Sequence, residues 1–131
     1  MDLPTKEQLD ELLAFLPAFE VPGRSFGEER GSDLKANGSI TMPWVDYAPD
    51  VLKFFQVASQ PCFLDVDYVS KNPGAWLETP GFIQTATFEQ LITLLTFCNR
   101  IERFHDGAWR DFLERGIIQN ILRRMAELRE A

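Results

Sequence analysis

The chain has 131 residues and a mass of 15.0 kDa, which suits one domain, residues 1–131, with enough length to bury a core. A formal net charge of −7 argues against general nucleic-acid binding, and two cysteines give neither a disulfide framework nor a metal-ligand spacing. Hydrophobic residues make up 45%, an ordinary globular share, but no apolar run approaches a membrane span, so a non-membrane, cytoplasmic protein is expected.

The N-terminal stretch MDLPTKEQLDELL is acidic and helix-patterned, unlike a signal peptide. Thr5 and Gln8 have capping-box spacing, and Leu9, Leu12, Leu13 and Leu16 form one stripe behind them. Pro17 ends this helix or forms its last turn before a break at Pro22-Gly23. From Val21 to Ser39 the chain reads VPGRSFGEERGSDLKANGS. Four glycines and alternating charges predict a long mobile loop, with Phe26 as its one large apolar anchor.

Ile40 to Tyr47 reads as extended, with Pro43 confining it to a sheet edge. Pro49 then suits the first position of a helix whose buried face is Val51, Leu52, Phe55 and Ala58. Cys62 to Val69 alternates, so a second extended segment is expected, with Cys62, Leu64, Val66 and Tyr68 on one side and Asp65 and Asp67 on the other. Ala75 to Leu77 suits a single helical turn.

Thr87 and Gln90 repeat the capping-box spacing and open the helix around which the rest is organised. Phe88, Leu91, Ile92, Leu95 and Cys98 share a stripe, Phe97, Ile101 and Phe104 lie opposite, and Gly107 is placed to end the helix. A helix apolar on both sides is central to a bundle. Extended toward Gly107, the projection puts Asn99, Glu102 and His105 on the first stripe. Glu102 there requires a partner or must be protonated, and Arg124, at the edge of the last helix's apolar face, is the expected partner. Beyond Gly107 come Trp109, Phe112 and Leu113. Beyond Gly116, Ile117, Ile118, Ile121, Leu122, Met125 and Leu128 form the last helical face.

Charge is unevenly divided. Residues 1–86 hold thirteen acids and six bases, whereas residues 87–131 hold seven of each, and all seven bases there are arginine. Ion pairs within and between helices are the plain reading of those arginines, and a bidentate anion site is the sharper one.

The run RIERFHDG, Arg100 to Gly107, followed by LERGIIQNILRRM, Leu113 to Met125, resembles an uncharacterised bacterial family catalogued as domain of unknown function 6508. Arg100, Glu102, Arg103, Phe104, Gly107, Gly116, Ile118 and Leu122 match its pattern of a helix ending before a glycine-interrupted helical pair. A fainter likeness runs from Met42-Pro43 through Tyr47, Pro49 and Phe55 to Asp65, Asp67 and Tyr68, so that roughly two thirds of the chain is covered. Ala48 departs from the pattern, where a hydroxyl-bearing cap is expected, and so does the break at Asn72-Pro73-Gly74. The resemblance implies no activity.

Glu102 and His105, three apart, have the spacing of a carboxylate orienting an imidazole, a general-base arrangement; the plainer reading makes them a structural ion pair and a helix-end cation. Arg100 and Arg103 are the ligand-binding candidates beside them. Trp44, Tyr47 and Tyr68, with Trp76, are candidates to line an aromatic groove, against the alternative that they are core. Asp65, Asp67 and Asp46 could hold a divalent cation, but a solvated face explains them as well, and no metal site is expected. Cys98 stands seven residues, about 10 Å of helical rise, from His105 and is too far to use it as a base. The expected fold is mainly α, a compact bundle of about five helices with two short extended segments. The expected function is a non-catalytic binding or accessory module for a protein partner, without cofactor. The alternative is a small enzyme or anionic-ligand binder using Glu102, His105, Arg100 and Arg103. Ligand, partner identity and oligomeric state stay open.

Overall fold

A computed structural model describes residues 3–30 and 44–130. Among them the chain forms α1 (Lys6–Leu13), α2 (Leu16–Phe19), β1 (Gly27–Arg30), β2 (Trp44–Tyr47), α3 (Pro49–Val57), α4 (Pro73–Leu77), α5 (Phe82–Thr85), α6 (Phe88–Ile101), α7 (Ala108–Glu114) and α8 (Ile117–Glu130), with 3-10 turns at Pro61–Phe63 and Tyr68–Lys71. The protein is mainly α, but the expected five helices undercount the eight among the described residues. The additional ones, α2, α4 and α5, have only four or five residues each. A segment that short shows no hydrophobic period.

Both capping boxes form. Gln8 and Gln90 each donate their backbone N–H to the preceding threonine hydroxyl at 3.2 Å. Their side-chain oxygens accept from Thr5 N and Thr87 N at 2.8 and 2.9 Å. From that start α6 runs through the middle of the molecule, against α4, α7, α8 and both 3-10 turns. Leu91, Ile92, Leu94, Leu95 and Cys98 are fully buried along it. They join Phe54, Phe63, Ile118, Ile121, Leu122 and Met125 in one hydrophobic cluster.

The expected loop from Val21 to Ser39 is ordered over its described part. Phe26 is buried against Phe19 at a ring separation of 5.9 Å, and its carbonyl accepts from Ala48 N at 2.9 Å. The Arg24 guanidinium clamps Asp50 with two bonds of 2.7 and 3.0 Å and donates to Ala18 O at 3.1 Å. These fixings align Gly27–Arg30 antiparallel to Trp44–Tyr47, with Gly27 opposite Tyr47 and Arg30 opposite Trp44. The expectation of mobility over 31–39, and of extended chain over 40–43, falls outside the described residues.

The close approach of this ribbon depends on glycine. A Cβ built on Gly27 would stand 2.7 Å from Val45 Cγ1, and one on Gly107 would stand 3.3 Å from Val45 Cγ2. Val45 N also donates to Asp106 Oδ2 at 3.0 Å, so β2 is tied to the turn that follows α6.

The second expected extended segment, Cys62 to Val69, is instead a bend between two 3-10 turns, and the expected facing is exchanged at Asp65 and Val66. Asp65 is buried and Val66 is 91% exposed. Asp65 Oδ2 accepts from Lys71 Nζ at 2.6 Å and Thr93 Oγ1 at 2.7 Å, and Oδ1 accepts from Asp67 N at 3.0 Å. Asp65 N donates to Thr96 Oγ1 at 2.9 Å. Such local side-chain-to-backbone bonding competes with a strand ladder, and here it bends the chain into turns.

Candidate functional site

Two of the protein's clefts flank the C-terminal end of α6. The helix ends at Ile101, earlier than the apolar pattern suggests, and Glu102 is its C-terminal cap residue. The following turn, 103–106, is exposed. Gly107, at φ +93°, then opens α7. A left-handed residue there lets the chain double back at little steric cost.

Glu102 is half-buried and fully engaged. Its Oε1 accepts from the Tyr47 hydroxyl at 2.8 Å and from Trp109 N at 2.9 Å; its Oε2 accepts from Gly107 N at 2.9 Å. The carboxylate therefore supplies the first turn of α7 with acceptors that Gly107, lacking a side chain, cannot offer. Its partners are a phenol and two backbone amides, not the expected Arg124. Arg124 donates instead to Ala86 O at 3.1 Å and pairs with Glu127. The expectation failed because Tyr47 comes from a strand distant in sequence and the other donors are backbone amides, neither of which a helical projection displays. Burial and, secondarily, the Glu102 hydrogen bond push the Tyr47 hydroxyl above its ordinary pKa, so it stays a donor at neutral pH.

The remaining candidates scatter. His105 is exposed in the turn, and among the described residues no hydrogen bond joins it to Glu102. Its backbone N–H donates to Ile101 O at 3.0 Å and its carbonyl accepts from Ala108 N. Trp44 is exposed on β2, whereas Tyr47 is buried on the same strand with its ring 5.3 Å from that of Trp109. Trp76 stacks on Phe82 at 5.0 Å. Tyr68 lines a different cleft. These four aromatic residues do not share one groove. Burial pushes the Asp65 carboxyl up, but the bonds it accepts from Lys71, Thr93 and the Asp67 amide together outweigh that and hold it below the usual range. Cys98 is fully enclosed, and burial pushes its thiol far up.

Arg100 and Arg103 do come together, at a cleft of about 490 Å³ whose walls include Leu64, Asn99 and Trp109. On the other side of the same helix end lies a more apolar groove of about 360 Å³, lined by Tyr68, Val69, Pro73, Phe97, Ile101 and Phe104. Val69 is 73% and Phe104 82% exposed, high values for apolar side chains beside a groove. Val69 did not stand out in the sequence, and Phe104 was expected on the second apolar side of the central helix, whereas it lies in the exposed turn after Ile101. For Phe104 the signal was present, since it is a phenylalanine between charged neighbours immediately before a glycine-ended turn. Asn99 was legible as a polar residue on the apolar stripe, whereas Ser59, to which it is joined by a 3.0 Å bond at the arginine cleft, had no signal in its segment.

Fold and site together define a small mainly helical protein with two open clefts at the tip of its central helix. The chain belongs to a family of unknown function, DUF6508, whose model matches residues 4–131. No curated protein and no solved structure matches the chain.

Proposed function

We propose that the protein is a non-catalytic binding module, and that it docks a protein partner by seating an apolar side chain in the groove beside Val69 and Phe104. The observation that carries this reading is the exposure of Phe104 at 82% on the rim of that groove. An aromatic side chain left in water forgoes about 25 cal/mol for each Å² it would otherwise bury, so a partner covering it gains that stabilisation on docking. Aromatic anchors next to a pocket are the usual centre of a protein interface. The engagement of Glu102 by three donors supports a structural role for that carboxylate and weighs against an acid–base pair with His105.

The test uses the full chain as bait, immobilised at equal density as wild type and as the double variant Val69→Ser, Phe104→Ser. Both side chains are largely solvated, so the variant should keep its helical circular dichroism and melting point. One protein should be retained in near-equimolar amount by wild type and depleted about tenfold or more by the variant. Retention of the same proteins in the same amounts by both baits would refute the groove as a docking site.

A further inference from the structure

We propose that the cleft between Arg100 and Arg103 is a second binding site, one that takes a small molecule carrying an oxyanion, carboxylate or phosphate, on an apolar body. The inference stands apart from the groove, because it uses a different face of the same helix end. It begins from the fate of the arginines. Acids outnumber bases by 20 to 13 in this chain, so a guanidinium has many carboxylates to choose from. Five of the seven arginines after residue 86 take one. Arg110 pairs with Glu114, Arg115 with Asp111, Arg123 with Glu20, Arg124 with Glu127 and Arg129 with Asp10. Among the described residues Arg100 and Arg103 pair with none. The nearest carboxylate in sequence, Glu102, lies between them and also borders the cleft, but its oxygens are occupied by Tyr47, Gly107 and Trp109.

Most of the cleft's other polar groups are engaged from within. The Ser59 hydroxyl donates to Phe55 O at 2.7 Å and accepts from Asn99 Nδ2 at 3.0 Å. The Trp109 indole N–H donates to Asn99 O at 3.0 Å. The N–H donors left for a ligand are therefore chiefly those of the two guanidiniums, and the surfaces left beside them are the side chain of Leu64 and the ring of Trp109. That ring is itself held rigid by stacking on Phe55 at 4.1 Å and 8°. Planar guanidiniums favour two-oxygen acceptors, and an indole with a leucine favours an apolar body. A cation near the C-terminus of α6 also eases the helix dipole. That explanation suffices for one arginine outside a cavity, but not for two unpaired ones on the rim of a 490 Å³ cleft.

The experiment is a two-dimensional ¹H–¹⁵N titration of the full chain with four probes: phenyl phosphate, phenylacetate, inorganic phosphate and neutral benzyl alcohol. The reporters are the Trp109 indole N–H and the Asn99 side-chain amide. Saturable shifts of both are expected with phenyl phosphate or phenylacetate, with Kd of about 1 mM or tighter, weakened by added salt. Whichever of the two saturates first identifies the oxyanion. Inorganic phosphate should bind more weakly, and benzyl alcohol should leave both reporters in place. The Arg100→Ala, Arg103→Ala variant should lose about tenfold in affinity, while Arg115→Ala, which breaks an existing ion pair elsewhere, should lose none. The proposal is overturned if neither aromatic anion saturates below about 10 mM, if benzyl alcohol moves the reporters equally, or if the double variant binds like wild type. None of these outcomes touches the Val69–Phe104 groove, whose own variants leave both arginines in place.

Discussion

Replacing Glu102 by alanine leaves three donors without their acceptor: the Tyr47 hydroxyl and the N–H groups of Gly107 and Trp109. Hydrogen bonds to a charged acceptor contribute about 1.5–3 kcal/mol each when buried. Glu102 is only half-buried and borders the arginine cleft, so water can reach part of the vacated site, and the sum must be discounted. Loss of a helix N-cap alone costs about 1 kcal/mol. We therefore expect Glu102→Ala to cost about 2–3 kcal/mol. Glu102→Gln should cost about half as much, because its one amide oxygen can still serve Tyr47 and Trp109 while its NH2 faces the Gly107 N–H donor to donor. Glu127→Ala, which removes a partner of Arg124 on the exposed face, should stay within about 0.5 kcal/mol. Urea melts followed by far-UV circular dichroism and tryptophan fluorescence measure all three. A double-mutant cycle with Tyr47→Phe should return a coupling of about 1 kcal/mol. If Glu102→Ala proves as neutral as Glu127→Ala, the carboxylate does not hold α7, and the account of this helix end fails.

Two other perturbations test separate parts of the molecule. The folded-state pKa of Asp65 lies below that of a free aspartate, so its contribution to stability is present above the unfolded pKa and is lost as pH falls through the lower folded one. The stability gap between wild type and Asp65→Asn should accordingly be constant near neutrality and close only below about pH 4, and a gap independent of pH down to about pH 2 would contradict it. Gly107→Ala forces an L side chain to φ +93° and sets its Cβ 3.3 Å from Val45 Cγ2; thermal melts should show a loss of about 1–2 kcal/mol, and no loss would mean that the turn relaxes freely.

Local signals carried the helices well. Thr5–Gln8 and Thr87–Gln90 are self-contained in four residues each, and α6 and α8 are long enough to show their stripes, so both were legible. The ribbon was not. Gly27 to Arg30 reads GEER, as polar as any loop, and becomes a strand through partners distant in sequence, with Phe26 in the core, Arg24 on Asp50 and Val45 across the ladder. Asp65 misled for the converse reason. In an alternating pattern a carboxylate belongs outside, but Lys71, Thr93 and the Asp67 amide give it enough bonds to turn inward, leaving Val66 in water. At the site, Arg100 and Arg103 were legible as ligand-binding candidates, although ion pairing was the plainer reading of all seven arginines. The true partners of Glu102 were hidden, because Tyr47 is fifty-five residues away and the others are backbone amides.

Val45 lies between Gly27 on one side and Gly107 on the other, with its own N–H on Asp106. This arrangement links three positions that are far apart in the gene. A methyl group added at 27 would meet Asp46 O and the Tyr47 ring at 3.1 Å as well as the valine, and one at 107 would also have to sit at φ +93°, so shrinking the valine alone frees neither glycine. Across family members both glycines should thus persist whether or not position 45 changes. A valine lost alone would leave the ribbon loose over the turn that carries Arg103 and Phe104, with both glycines still required.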